Sequence, residues 1–228
     1  MTHPYRLVVF DWEGTLADPL GALVHFLWTE VNHQGWAAFS QGQVRHELLL
    51  GLPSAVRALF IGFSEQQIHA MIERAERMVS QERHKVFIFS GIKQLLQQLR
   101  AQGVHCAVAS NKSQLSLEKA LETSDIAHFF QTYRGVGILP PKPDPEMLLN
   151  IMNDIQIDIE DTVMIGDSFA DIEMARTINV DAIAIDWYAS GVWHADKMGA
   201  KAVVNSIEQL ATLLGVQLSS GDKIEQDV

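Results

Sequence analysis

The sequence contains a single cysteine, no long uncharged apolar run and far fewer basic than acidic residues. Because Cys106 has no second cysteine to pair with, no intrachain disulfide can form, and a reducing compartment is expected. No apolar stretch is long enough to cross a bilayer, and the amino-terminal apolar run is shorter than a signal-peptide core. These absences predict a cytoplasmic protein with no membrane partner.

The charge balance of the chain limits the partners that it can bind. The 228 residues carry 17 Lys and Arg against 28 Asp and Glu, which gives a formal net charge of −11. Phosphate backbones select basic surfaces, so we do not expect a nucleic-acid partner. A small anionic substrate is still compatible with this charge, because a metal ion and one lysine can form a local cationic pocket.

Short apolar runs that end at polar residues recur along the chain and predict buried strands. The clearest is Leu7–Phe10, and the others lie at 104–109, 162–165, 182–185 and, more weakly, 202–204. Helical patterns separate them, such as the apolar stripe at 92–99, which is followed by Gly103 at a C-cap position. This alternation predicts an α/β fold with a doubly wound parallel sheet.

Residues 19–85 interrupt this alternation, because they contain no run typical of a buried strand. They show helical periodicity instead, with Ser64 as a predicted N-cap and Gln67 at its capping-box position. The expected organisation is therefore a core formed by residues 1–18 and 86–218, a helical insertion at 19–85 and a flexible polar tail at 219–228.

Polar side chains follow several of the predicted strands. Ligands of such sheets bind at the carboxyl ends of the strands, so these side chains are expected to meet in one crevice. Any one of them alone could be a helix cap or a solvated loop residue. The signal is their order along the chain, which is Asp11-Trp12-Glu13-Gly14-Thr15, Ser110-Asn111, Lys142-Pro143 and Gly166-Asp167-Ser168-Phe169-Ala170-Asp171.

The candidate ligands in these segments are oxygen atoms, and oxygen is what a hard divalent cation requires. The nine histidines show no pair at metal-ligand spacing, and there is no Cys/His cluster. The sequence therefore predicts Mg²⁺ and not zinc as the cofactor.

These four motifs, in this order and spacing, resemble those of the haloacid dehalogenase (HAD) superfamily. The resemblance is to its phosphatase branch with a small helical cap, and most of all to phosphoglycolate phosphatase-like members. It covers nearly the whole chain and implies a Rossmann-like core, with residues 19–85 as the cap.

The resemblance also implies roles for individual residues. Asp11 would be the nucleophile that forms an aspartyl-phosphate, and Glu13 the acid/base that protonates the leaving oxygen and then activates water. Lys142 would hold Asp11 and the phosphate together. Ser110 would bind the transferring phosphoryl group, with Asn111 supporting it.

Metal and substrate residues follow in the same way. Asp11, the backbone carbonyl of Glu13, Asp167 and Asp171 would hold or orient Mg²⁺. Thr15 is a further predicted substrate-binding residue. Arg45, in the insertion, could pair with a substrate carboxylate, although a solvated helix charge is the simpler interpretation.

Glu13 departs from the family pattern, which usually has Asp at this place. Its extra methylene displaces the carboxyl by about 1.5 Å, one bond length, and a general acid must lie within hydrogen-bond reach of the leaving group. The expected function is hydrolysis of a small phosphorylated metabolite, such as phosphoglycolate or a sugar phosphate. A phosphate-binding protein without turnover and a phosphomutase remain alternatives, and the sequence leaves monomer and homodimer open.

Overall fold

The protein is described by a computed structural model, which covers residues 3–35, 38–81, 86–188 and 199–218. The chain divides into two compact units. One comprises Met1–Asp18 and Ile88–Val228, here called the core unit, and the other comprises Pro19–Phe87, here called the helical unit. The predicted tail at 219–228 lies outside the described residues.

The core unit contains a six-stranded sheet in which all neighbouring strands are parallel. The strand order is β3-β2-β1-β4-β5-β6, as expected for a doubly wound fold, so the predicted α/β class is confirmed. The strands are β1 (Leu7–Phe10), β2 (His105–Ser113), β3 (Phe130–Val136), β4 (Thr162–Gly166), β5 (Asp181–Ile185) and β6 (Ala202–Val204).

Strand β3 was not predicted from the sequence, because its residues form no continuous apolar run. It lies at one edge of the sheet, where β2 is its one strand partner among the described residues. Its seven residues read FQTYRGV and are mostly partly exposed, whereas β1 and β4 are buried throughout. Apolar runs mark strands that are covered on both faces, so they identify central strands better than edge strands.

The helical unit contains four helices and, among its described residues, no strand of the sheet. They are α1 (Gly21–His33), α2 (Gln41–Leu48), α3 (Leu52–Leu59) and α4 (Glu65–Gln81). The predicted capping box at the start of α4 is confirmed. The backbone N–H of Gln67 donates to Ser64 Oγ, and the backbone N–H of Ser64 donates to Gln67 Oε1. Apolar residues from all four helices form a hydrophobic core within this unit.

In the described parts of the core unit, five α-helices pack around the sheet. They are α5 (Ile92–Ala101), α6 (Gln114–Thr123), α7 (Glu146–Ile155), α8 (Phe169–Thr177) and α9 (Ile207–Leu213). The apolar stripe predicted on α5 is buried, and Gly103 follows the helix with a φ of 76°. Within the described parts of the chain, no helix is both long and apolar enough to cross a membrane.

Candidate active site

Asp11 directly follows β1, which lies between β2 and β4 in the sheet. Its backbone N–H donates to the Ile165 carbonyl of β4 at 2.8 Å, so the backbone continues the pairing of the sheet up to this residue. The loop after Asp11 then turns sharply, with Leu16 and Ala17 both donating to the Trp12 carbonyl. This turn leaves the Asp11 carboxyl at the carboxyl edge of the sheet, in a position that is almost fully buried.

Gly14 lets this turn pass close to Asp167 at the end of β4. Its φ is 82°, and a Cβ atom at this position would lie 2.0 Å from Asp167 Oδ2. Any other residue would therefore have to displace the Asp167 carboxyl in addition to adopting a left-handed backbone. The close approach of the loop that carries Asp167 thus explains why position 14 is a glycine.

The side chain of Lys142 contacts two acidic residues and one backbone carbonyl, which come from three separate parts of the chain. Its Nζ donates to Asp11 Oδ1 at 2.5 Å, to Asp171 Oδ1 at 2.5 Å and to the Ala109 carbonyl at 3.1 Å. These three acceptors occupy all three donors of the ammonium group. Since only 3% of the Lys142 side chain is exposed, the position of the charge is fixed by its partners.

Asn111 holds the backbone of Lys142 in place. Its Oδ1 accepts from the Lys142 N–H at 2.7 Å, and its Nδ2 donates to the Lys142 carbonyl at 3.3 Å. The end of β2 is thereby tied to the segment that precedes α7. Ser110, the neighbour of Asn111 in β2, is buried and accepts from the Lys112 N–H through its hydroxyl oxygen.

Asp11, Asp167 and Asp171 form a carboxylate cluster in which one oxygen from each lies within 4.8 Å of the others. The Asp171 carboxyl is fully buried and accepts from the backbone N–H and the hydroxyl of Ser168, which caps α8. Thr15 is also buried, and its hydroxyl donates to Asp167 Oδ1 at 3.5 Å. The predicted metal-binding side chains are therefore brought together at one point.

Burial and mutual repulsion act on the charges of this cluster. Burial raises the pKa of Asp11 to about 7; the charge of Lys142 opposes this shift and that of Asp171 adds to it. Burial, with repulsion from Asp171, raises the pKa of Asp167 to about 6. Burial alone would lower the pKa of Lys142, but the attraction of Asp11 and Asp171 outweighs this effect and raises it.

This donor set fits a divalent cation. Three carboxylates and one ammonium leave two uncompensated negative charges, and all the side-chain ligands offered are oxygen atoms. Hard cations such as Mg²⁺ prefer oxygen ligands, and a divalent charge would offset the burial and the repulsion from Asp171 that raise the pKa of Asp11 and Asp167.

Comparison with known proteins places the chain in a family. Residues 8–185 match the family described as haloacid dehalogenase-like hydrolases. The chain belongs to this family. The plasmid phosphoglycolate phosphatase of Cupriavidus necator is 26% identical to this hydrolase over 219 residues, which cover 92% of the chain and 94% of the relative. The phosphoglycolate phosphatase of Pseudomonas putida is 29% identical over 216 residues, which cover 92% of the chain and 78% of the relative.

Solved structures agree with the family assignment at the level of the fold. The crystal structure of a hydrolase from Streptococcus pneumoniae matches with a TM-score of 0.61 at 21% sequence identity, covering 93% of this chain and all of that one. The resemblance of the four motifs to the HAD superfamily is confirmed by the family match over residues 8–185, which include all four motifs.

Glu13 lies outside the carboxylate cluster of this HAD hydrolase. Its side chain is 59% exposed, and its Oε1 accepts from Lys112 Nζ at 2.5 Å. Lys112 was not predicted as a candidate site residue from the sequence. The available signal was its place next to Ser110 and Asn111 at the end of β2.

Arg45 lies in the last turn of α2, in the helical unit. Its predicted contact with a substrate therefore depends on a unit that folds around a core of its own. The role of Arg45 in substrate binding stays a prediction.

Proposed function

We propose that the chain is a magnesium-dependent phosphomonoester hydrolase that acts on a small phosphorylated metabolite. The observation that carries this proposal is the contact of Asp11 with Lys142 inside the carboxylate cluster. A buried carboxylate and a buried ammonium, held by residues far apart in the sequence, provide a nucleophile beside a fixed positive charge.

The first step of the proposed reaction is attack of Asp11 Oδ on phosphorus. The bond between phosphorus and the ester oxygen breaks, and Glu13 gives its proton to that oxygen. Lys142 favours the ionised form of Asp11 and would attract the phosphoryl oxygens as they approach. The Ser110 hydroxyl, at the end of β2, is the proposed hydrogen-bond donor to the phosphoryl group, and the Asn111 side chain would support it by holding the backbone of Lys142.

In the second step, Glu13 takes a proton from water, and the water oxygen attacks phosphorus. The bond between phosphorus and Asp11 breaks, so inorganic phosphate leaves and both acidic residues return to their starting states. Asp11, Asp167, Asp171 and the Glu13 carbonyl would hold Mg²⁺, which when bound supplies positive charge to offset that of the phosphate and the carboxylates.

The substrate class is proposed from the relatives and from the size of the helical unit. Both curated relatives described above are phosphoglycolate phosphatases, which favours a small phosphate ester. The helical unit would act as a cap that excludes water, with Arg45 as a candidate contact for a substrate carboxylate. A cytoplasmic place of action also stays a prediction.

The test is hydrolysis of p-nitrophenyl phosphate and a set of small phosphate esters, with Mg²⁺ and with EDTA. We expect Mg²⁺-dependent release of phosphate that falls by about a thousandfold or more in Asp11→Asn, since the nucleophile is lost. Asp125→Asn, which alters an exposed ion pair with Lys93, is the matched control and should keep full activity.

Three results would contradict the proposal. Equal rates in the wild type and Asp11→Asn would assign the phosphate release to a contaminant. An isomerised product without free phosphate would indicate a phosphomutase. Binding of Mg²⁺ and phosphate without any turnover would indicate a phosphate-binding protein.

A further inference from the structure

Glu13 and Lys112 form an ion pair between the ends of two neighbouring strands. They are 99 positions apart in the sequence, so the contact depends on the pairing of β1 with β2 and not on local chain geometry. The Lys112 side chain is only 27% exposed, although Glu13 is mostly accessible. The cation of the pair is therefore the more enclosed and the better fixed of the two partners.

The backbone of Lys112 is also held from two sides. Its N–H donates to Ser110 Oγ at 3.2 Å. On the other side lies Gly135 of β3, where a Cβ atom would come within 2.7 Å of the Lys112 carbonyl oxygen. The Gly135 N–H donates to Gln114 Oε1 at 2.7 Å, which fixes the start of α6 against the same strand. Lys112 thus projects from a rigid part of the core unit.

We propose that Lys112 is a positioning residue for Glu13, an inference that rests on the proposed phosphatase function. An exposed ion pair adds little to folding stability, so stability alone is a weak reason for this contact. A glutamate has one more rotatable bond than the aspartate usual at this place, and its carboxyl group can therefore adopt more positions. Lys112 restricts those positions by donating a hydrogen bond to Oε1, a contact that Glu13 can keep both when Oε2 carries a proton and when it does not.

Replacing Lys112 should slow different reaction steps with alkyl phosphates and with p-nitrophenyl phosphate. An alkyl ester needs protonation of its leaving oxygen, whereas p-nitrophenolate leaves readily without a proton. If Lys112 positions Glu13, then Lys112→Met should slow both steps of alkyl-ester hydrolysis. With p-nitrophenyl phosphate, only the second step should slow, because activation of water still needs Glu13.

The experiment measures steady-state and rapid-mixing kinetics of Lys112→Met, Lys112→Arg, Glu13→Gln and the double variant Lys112→Met with Glu13→Gln. For Lys112→Met we expect kcat on an alkyl phosphate to fall by about 10- to 100-fold with a smaller change in KM. With p-nitrophenyl phosphate we expect a burst of about one nitrophenol per enzyme before the slow phase. Lys112→Arg should recover part of the loss, since it restores the cation.

Two controls separate positioning from a general structural role. In the Glu13→Gln background, Lys112→Met should change kcat by less than about threefold, because the group that it positions is already absent. Lys93→Met, which removes the lysine of the exposed Lys93–Asp125 pair, should leave all rates unchanged. The Mg²⁺ affinity of Lys112→Met, measured by isothermal titration calorimetry, and its thermal midpoint should match those of the wild type.

The outcomes distinguish failure of this inference from failure of the proposed function. A wild type that releases no phosphate from any ester refutes the proposed function itself. A wild type with turnover, beside a Lys112→Met variant of equal or higher kcat, refutes only the role of Lys112; a higher kcat would show that Lys112 restrains Glu13 from acting. Loss of Mg²⁺ binding or of thermal stability in Lys112→Met would assign Lys112 to the structure of the loop.

Discussion

At the scale of single residues, the burial of Asp11 lowers the stability of the folded state when this carboxyl is ionised. The pKa of this carboxyl rises from 3.8 to about 7, because burial disfavours its charged form. The folded state therefore holds this proton more tightly than the unfolded chain does. The stability that this proton contributes is present below about pH 4 and is lost as the pH rises through about 7.

Asp11→Asn should consequently stabilise the metal-free protein at alkaline pH. Asparagine carries no charge to be desolvated, and Lys142 keeps its ion pair with Asp171. At pH 8 in EDTA we expect the free energy of unfolding to rise by an amount on the order of 2 kcal/mol, and at pH 4 to change much less. Urea denaturation at the two pH values measures this difference.

The same urea denaturation is repeated with saturating Mg²⁺ to compare how much stability the wild type and Asp11→Asn gain from the ion. Because Mg²⁺ stabilises the folded state through the carboxylates that bind it, the wild type should gain more stability from it than Asp11→Asn. Asp125→Asn, at an exposed position, should follow the wild type throughout. A variant that is no more stable than the wild type at pH 8 in EDTA would show that the Asp11–Lys142 attraction outweighs the burial cost.

At the scale of secondary structure elements, the site depends on how strand ends are tied to the segments beside them. Asn111 at the end of β2 makes two hydrogen bonds to the backbone of Lys142, which lies just before α7. From the sequence, Asn111 was expected to support Ser110 in binding the phosphoryl group. The structure shows that it can act on the position of the lysine through the chain that carries it.

Asn111→Ala should therefore reduce activity by displacing Lys142. We expect kcat on p-nitrophenyl phosphate to fall by about 10- to 100-fold, because two hydrogen bonds that place the catalytic cation are lost. Amide hydrogen exchange in residues 138–146 should become faster in the same variant. The exposed Asn153 of α7 provides the control variant Asn153→Ala. Unchanged exchange in this segment, with normal kcat, would contradict the assigned role.

Among the secondary structure elements, the central strands were predictable from the sequence and the edge strand was not. Central strands such as β1 and β4 are apolar along their whole length because helices and neighbouring strands cover them, so their runs are visible in the sequence. Edge strand β3 has mostly partly exposed residues and leaves no such run. The positions of Asp11 and Asp167 were predictable because each follows a predicted strand, and parallel strands bring their carboxyl ends to one edge.

Contacts between side chains were less predictable than positions along the chain. The pair formed by Glu13 and Lys112 depends on the rotamers of two long side chains, and no sequence spacing encodes these. The link from Asn111 to the Lys142 backbone likewise depends on the path of the connection between β3 and α7. Sequence patterns place residues at an edge of the sheet, but the partner of each residue is set by packing.

At the scale of the whole molecule, the described residues include a hydrophobic core in each unit, and these two cores share no residue. One core joins strands β1, β2, β4 and β5 with helices α7 and α8, and all its members belong to the core unit. The other joins α1 to α4 within the helical unit. A domain with its own buried core can fold without its neighbour, provided that its chain ends can be joined.

The chain passes between the two units at two points that lie side by side. Ala17 and Ile88 form an antiparallel bridge, and the Phe89 N–H donates to the Leu16 carbonyl at 3.0 Å. An antiparallel pair of this kind can be closed by a two-residue turn such as Asn-Gly. Residues 19–87 can thus be replaced by one glycine, which leaves Asp18-Gly as the two-residue turn between Ala17 and Ile88.

We expect this shortened protein to fold and to keep its metal site. Asp11, Lys142, Asp167 and Asp171 all belong to the core unit, so the carboxylate cluster is retained in full. Cooperative thermal unfolding with a midpoint raised by Mg²⁺, and calorimetric Mg²⁺ affinity within about threefold of that of the full chain, would support independent folding. The same shortened protein carrying Asp167→Asn is the control that should lose the response to Mg²⁺. A shortened protein that unfolds without cooperativity would show that the core unit needs the helical unit for its stability, because each core would then be incomplete on its own.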